Sequence, residues 1–333
     1  MCFPEPTVGP AVQEVPVSIA YTDVTAARAR IEGHTRRVAL SPSEHGAEEF
    51  GGAEGCFAYE FVQHTGSFKA RGAANFVAAH AQAGTLPEAG IVIASGGNAG
   101  LACAWAAARH STPATVFVPE TAPAVKVARL RALGARIRQV GSEYAEALEA
   151  SRKYAAETGA LESHAYDHPL IAAGAGTLLE EIRDARPDVE TVVVAVGGGG
   201  LFAGVAVAAH EHGIRVVAVE PEGSRALHAG LAAGAPVDVP VQSVAADSLG
   251  ARRVTPMALE WAERAGAVSV LVPDEAITAT RAALWDRRRL AVEHAAATAL
   301  TALSTGAYVP AAGEKVCVVL CGANTGLGDF PAS

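Results

Sequence analysis

The chain has 333 residues, enough for one large domain or two ordinary ones around a sizeable core. Hydrophobic residues make up 50% of it, which excludes a disordered chain, and aromatics only 5%, which leaves the core to Ala, Val and Leu. The formal net charge of −9, with no basic block, argues against an extended nucleic-acid or anionic-membrane surface, so any bound anion must be held by local chemistry.

Residues 1–16 carry neither a basic start nor an apolar stretch and do not read as a signal peptide. Short β-branched runs then alternate with Ala-rich stretches. Strands are predicted at 90–94, 114–118, 135–140, 191–196, 214–219, 268–272 and 316–320. Helices are predicted at 67–83, 98–110, 123–133, 142–158, 169–185, 201–212, 274–288 and 293–304. Most of the strands are almost continuously apolar, as in a parallel sheet buried on both faces, and the alternation points to an α/β fold. Residues 192–209 form an 18-residue uncharged run of membrane-helix length, but the consecutive glycines inside it favour strand, loop and helix. Residues 237–256 are the least regular and read as a functional loop. The five cysteines, Cys2, Cys56, Cys103, Cys317 and Cys321, form no CxxC pair and are odd in number. They argue against a disulfide framework or structural zinc and for a reducing, cytoplasmic location.

Open parallel sheets bind ligands beyond the C-terminal ends of their strands. Three turns lie at such ends. Ala94 leads into Ser95-Gly96-Gly97-Asn98, Val196 into Gly197-Gly198-Gly199-Gly200, and Leu320 into Cys321-Gly322-Ala323-Asn324. A glycine loop before an uncharged helix exposes backbone N–H groups and aims a helix N-terminus at the same point, which holds a phosphate without Lys or Arg. Tight strand–helix packing is the alternative use of these glycines, although four in a row cost more chain entropy than a turn needs. A rival function arises in the same window. Gly198 to Ala203 fits GxGxxA, and Glu220 ends the next strand, where a ribose-binding acid belongs in an NAD(P)-dependent oxidoreductase. That reading leaves the N-terminal half unexplained.

Only four lysines occur, Lys69, Lys126, Lys153 and Lys315, against 22 arginines. Lys69 stands in His64-Thr65-Gly66-Ser67-Phe68-Lys69-Ala70-Arg71-Gly72-Ala73. Ser67 reads as the cap of the following helix, which puts Lys69 near the positive end of its dipole. Partial burial there lowers the amine pKa and favours the neutral form that a Schiff base requires. An ordinary surface lysine on an Ala-rich helix is the alternative, and the local chemistry alone does not separate the two.

The segment Thr65 to Ala73 closely resembles the lysine motif of fold-type II pyridoxal-phosphate (PLP) enzymes, in particular serine/threonine dehydratases. The likeness is collinear from about residue 36 to 326. Ser95-Gly96-Gly97-Asn98 resembles the Ser-x-Gly-Asn loop of that family, and His164 to Glu181 its Ala-Gly-x-Gly-Thr segment. Gly197 to Leu201 resembles the phosphate cup, Ala246-Asp247-Ser248-Leu249-Gly250 the Ala-Asp-Gly loop, and Cys321 to Asn324 the final Ser-Gly-Gly-Asn. The resemblance implies a tryptophan-synthase-β-like fold of two open parallel-sheet α/β domains with the cofactor in the cleft between them. The large domain would comprise 1–87 and 158–333, and the inserted small domain 88–157. It further implies that Lys69 holds PLP as a Schiff base, that Phe68 lies beside the ring, and that Asn98 bonds the ring hydroxyl. Gly197, Gly198, Gly199, Gly200 and Leu201 would hold the phosphate, and Cys321 would face the pyridine nitrogen. Ser95, Gly97 and Asn98 would bind the substrate carboxylate. Without the other motifs, Asn98 reads as a helix cap and Cys321 as a small buried hydrophobe.

The implied reaction is β-elimination of L-threonine and/or L-serine to 2-oxobutanoate or pyruvate plus ammonia, in a homodimer without regulatory domain or isoleucine feedback. A lyase for another β-hydroxy or β-substituted amino acid and a catalytically silent binding protein are the alternatives. Serine racemases of the family carry Ser where this chain has Gly96, which argues against racemisation, and threonine synthases carry Asp where it has Ala70. Ala99 stands in place of a common His and Ser248 in place of a glycine, so the substrate pocket is expected to differ from the family norm. Glu220 matches one acid of a family metal site, but Ala226 replaces the second, which leaves Glu220 as the expected ligand of a monovalent cation.

Overall fold

The computed structural model describes residues 18–42, 48–326, 328 and 330. Its strands are β1 (Leu40–Pro42), β2 (Glu54–Ala58), β3 (Ile91–Ala94), β4 (Ala114–Val118), β5 (Arg136–Gln139), β6 (Leu161–Glu162), β7 (Thr191–Ala195), β8 (Arg215–Pro221), β9 (Val268–Val272) and β10 (Lys315–Val319). The α-helices are α1 (Tyr21–Ile31), α2 (Lys69–Gln82), α3 (Asn98–Arg109), α4 (Ala124–Ala132), α5 (Tyr144–Thr158), α6 (Pro169–Ala185), α7 (Gly200–Glu211), α8 (Ala226–Ala233), α9 (Ala246–Leu249), α10 (Pro256–Arg264), α11 (Asp274–Arg288) and α12 (His294–Ser304).

The strands form two sheets, one six-stranded in the order β1-β2-β10-β7-β8-β9 and one four-stranded in the order β5-β4-β3-β6. All pairs are parallel except β1 with β2. The α/β class expected from the alternating pattern and the two sheets implied by the resemblance are therefore present. Strand β7, Thr-Val-Val-Val-Ala, is buried along its whole length because helices cover both faces of the large sheet. The 192–209 run divides as its glycines imply, into β7 and α7, and among the described residues no helix is long and apolar enough to cross a membrane.

Strands β1, β2 and β6 were not expected. Strand β6 pairs with β3, so the four-stranded sheet draws on residues a few positions past the expected limit at 157. The helix expected from residue 67 begins at Lys69. Ser67 does not cap it. Its backbone is extended and pairs with Gly322 in an antiparallel bridge, and its buried hydroxyl has no hydrogen-bond partner among the described residues. Cys56, Cys103, Cys317 and Cys321 are buried free thiols, and Cys2 lies outside the described residues.

Helices α2, α6 and α7 meet backbone to backbone. A Cβ on Gly72 would stand 2.6 Å from the Ile171 carbonyl oxygen, and one on Gly204 would stand 2.1 Å from that of Ala172. This packing sets the lysine-bearing start of α2 beside the start of α7.

Candidate active site

Lys69 is the first residue of α2, two positions before a buried ionic network. The Arg71 guanidinium donates to Glu60 at 2.6 and 3.0 Å, to both Glu181 oxygens at 2.9 Å and to Thr177 at 3.3 Å. A fully buried charge with this many partners fixes the helix that carries it. The Lys69 amine donates to the Ala165 carbonyl at 2.8 Å and lies 4.7 Å from the Phe68 ring centre and 5.9 Å from that of Tyr166. Burial lowers its pKa to about 8, against weaker upward pulls from Cys321 and Glu293.

The amine opens onto a cavity of about 590 Å³ bordered by residues from both sheets. The turn after β3 supplies Ser95, Gly96, Gly97 and Asn98, the turn after β7 supplies Gly197 to Leu201, and the end of β10 leads to Cys321. All the residues expected at the site therefore gather at one cleft, beyond the C-terminal ends of the strands. Helix α3 starts at Asn98 and points its positive end into the cavity. Burial, followed by the charge of Glu293, pushes the Cys321 thiol up to about 12, so it stays neutral.

The glycine loop is a cradle with no room for side chains. A Cβ on Gly198 would lie 2.2 Å from the Tyr166 ring, and one on Gly199, whose φ is +99°, would lie 2.3 Å from the Ala258 methyl. Tight packing and anion binding thus go together, because the close backing leaves the amides free on the cavity side. Among the described residues, the N–H groups of Gly198 and Gly199 donate to no other group. Free amides, the start of α7 and a buried amine of lowered pKa fit a phosphate-bearing aldehyde such as PLP.

Glu220 takes no part in this wall. It is buried at the end of β8, and its two oxygens accept from the first-turn amides of α8, Leu227 and His228, at 2.8 Å each. Burial raises its pKa to about 7 despite those bonds. It caps a helix and is not presented to the loop after β7, which removes the ribose-binding acid from the dinucleotide reading.

Sequence reasoning assigned no role to Glu293, Asn324 or Tyr166, although Asn324 ends the turn after Leu320 and Tyr166 lies in the His164–Glu181 segment. Glu293 accepts from Asn98 Nδ2 at 3.0 Å to each oxygen, from the Asn324 amide at 2.7 Å and from the Ser248 hydroxyl at 2.9 Å. In sequence it is one acidic residue at a helix start, an ordinary place for one. The departure at Ser248 thereby acquires a partner. Tyr166 backs the glycine loop, and its placement follows from His164, whose Nδ1 accepts the Tyr166 and Asp167 amides.

A family model described as pyridoxal-phosphate-dependent enzyme matches residues 31–322. An L-threonine ammonia-lyase of Geobacter sulfurreducens is 35% identical over 308 residues, covering 90% of this chain and 75% of that protein. A serine dehydratase-like protein of Rattus norvegicus is 37% identical over 279 residues, covering 80% of this chain and 84% of that protein. Among solved structures, maize serine racemase is similar with a TM-score of 0.87 at 28% identity, covering 94% of this chain and 95% of that one. On sequence and architecture together, the chain belongs to the fold-type II, pyridoxal-phosphate-dependent serine/threonine dehydratase family.

Proposed function

We propose that this carbon–nitrogen lyase deaminates L-threonine and/or L-serine by β-elimination, giving 2-oxobutanoate or pyruvate and ammonia. The observation that carries the reading is the Lys69 amine, brought to a pKa of about 8 in a cavity that also holds the free loop amides. The relatives named L-threonine ammonia-lyase and serine dehydratase-like support the substrate class.

In this reading Lys69 holds the cofactor aldehyde, and the N–H groups of Gly197 to Leu201 hold its phosphate. Phe68 lies beside the ring and Asn98 bonds the ring hydroxyl. PLP, when bound, supplies the electron sink that acidifies the substrate Cα. Ser95, Gly97 and Asn98, at the positive end of α3, hold the substrate carboxylate and so orient Cα. The Lys69 amine would be placed to take the Cα proton, which its lowered pKa allows near neutral pH. A neutral Cys321 thiol facing the pyridine nitrogen would place no negative charge there, which would favour departure of the β-hydroxyl over transamination. The segment 88–157 carries the Ser95–Asn98 turn and closes it over the substrate.

Gly96 separates this reading from racemisation. A residue without a side chain cannot return a proton to the opposite face of Cα. Incubation with L-threonine, L-serine and a panel of other β-hydroxy amino acids, scored for 2-oxo acid and for D-amino acid, tests the proposal. Oxo acid is expected to dominate with threonine or serine. D-serine formed as fast as pyruvate, or oxo acid from neither substrate, would overturn it.

A further inference from the structure

The Asn98 side chain is gripped at both ends. Its Nδ2 donates to Glu293 at 3.0 Å to each oxygen, and its Oδ1 accepts from Asn324 Nδ2 at 2.6 Å. A side-chain amide can exchange its oxygen and nitrogen by a half-turn at little steric cost, so only its partners decide which atom points where. Here the partners leave no choice. Arg129, which can only donate, bonds Asn324 Oδ1, and the Thr65 carbonyl, which can only accept, takes Asn324 Nδ2 at 2.7 Å. Those two groups fix Asn324, which therefore presents a donor to Asn98. On the far side the Glu293 carboxylate can only accept. Reversing Asn98 would set its oxygen against two carboxylate oxygens and its NH2 against another NH2.

The relay is built in with care for space. Glu293 is 4% exposed, and its oxygens also take the Asn324 main-chain amide and the Ser248 hydroxyl. A Cβ on Gly322 would stand 3.0 Å from Glu293 Oε2, and one on Gly66 would stand 2.8 Å from Asn324 Oδ1. Burial raises the Glu293 pKa, while the bonds from Asn98, Asn324 and Ser248 pull it down, so the donors around it favour the ionised, acceptor-only form.

We propose that Glu293 and Arg129 are positioning residues which, through Asn324, fix the polarity of the Asn98 amide and so commit its NH2 group to donate to the ring oxygen of the cofactor. The inference rests on the reading that Asn98 borders that ring. Neither residue touches the reacting atoms in this scheme. Each acts by deciding what Asn98 can offer.

The test uses the full chain and the variants Glu293→Gln and Arg129→Ala, each reconstituted with PLP. The measurements are the position and intensity of the visible cofactor band, the cofactor Kd, and kcat and KM separately. In Glu293→Gln one acceptor becomes a donor that opposes Asn98 Nδ2. The band is expected to shift and weaken, and the Kd to rise about ten-fold, the scale of one lost charge-assisted hydrogen bond. The kcat is expected to fall with KM little changed. Arg129→Ala lies at the exposed end of the relay and leaves the core intact, so it should shift the band the same way by less. It also decides the matter should Glu293→Gln fail to fold. A merely structural role would lower Tm and leave the band where it was. A wild-type chain that shows no band with PLP overturns both the inference and the reading beneath it. A wild-type band that keeps its position in both variants overturns the inference alone.

Discussion

The Lys69 amine couples cofactor uptake to pH. With its pKa lowered to about 8 by burial, the amine is protonated and unreactive below that value and neutral above it. The rate at which the cofactor-free chain forms its visible band with PLP should therefore rise with pH and reach half its plateau near 8. Stopped-flow absorbance over a pH series measures it; a rate flat across that range, or an undiminished band in Lys69→Ala, would count against the assignment. At this scale the sequence was most legible where chemistry is contiguous. Lys69, the glycine loop and the Ser95–Asn98 turn are each recognisable from a short contiguous segment. Glu293 was not legible, because its meaning lies in a bond to Asn98 across 195 positions of chain. Ser67 misled for the related reason that its backbone is claimed by Gly322, far off in sequence, before it can cap α2.

Helix α2 is held by more than its own propensity. Its third residue, Arg71, is buried and paired with Glu60 on one side and Glu181 of α6 on the other. Glu60 is itself buried, and its carboxyl is pushed up by desolvation while Arg71 pulls it down. Removing the cation would leave two carboxylates facing each other without a counter-charge, although the Val38 amide would still donate to Glu181 at 2.7 Å. Arg71→Ala is expected to destabilise the fold by about 3–5 kcal/mol, the usual cost of orphaning a buried charge. Urea unfolding measures it, and a loss under about 1 kcal/mol would show that the network is dispensable. Most strands were legible through apolar continuity, although β5, Arg-Ile-Arg-Gln, falls within an expected strand despite its polarity. Strands β3, β4, β7, β8, β9 and β10 are mostly apolar runs bounded by turn residues. Strands β1 and β6 have three and two residues, too few for any period to show, and β2 contains a charged residue and a glycine.

Across the whole molecule the cavity draws one wall from each sheet, so both halves must be in place before any part of the site is complete. The Glu293–Asn98 bond crosses that division, joining the start of α3, which follows β3 of the four-stranded sheet, to the residue before α12. Parallel alternation made the α/β class readable and the resemblance supplied the two-sheet plan, but which turns face each other is a property of the assembled pair. Strand order carries a further consequence. The last described strand, β10, is not at an edge: it lies between β2 and β7, in register with Cys56 on one side and Val192 on the other. Residues up to 314 include β2 and β7 but neither the strand that lies between them nor Cys321. Pairings this distant in sequence form slowly and late. A chain truncated before Val316 should therefore fail to develop the cofactor band on mixing with PLP, even though it retains Lys69 and the glycine loop, and a band of normal intensity in that fragment would disprove the claim. On this expectation the chemistry of the site depends on insertion of β10 between β2 and β7.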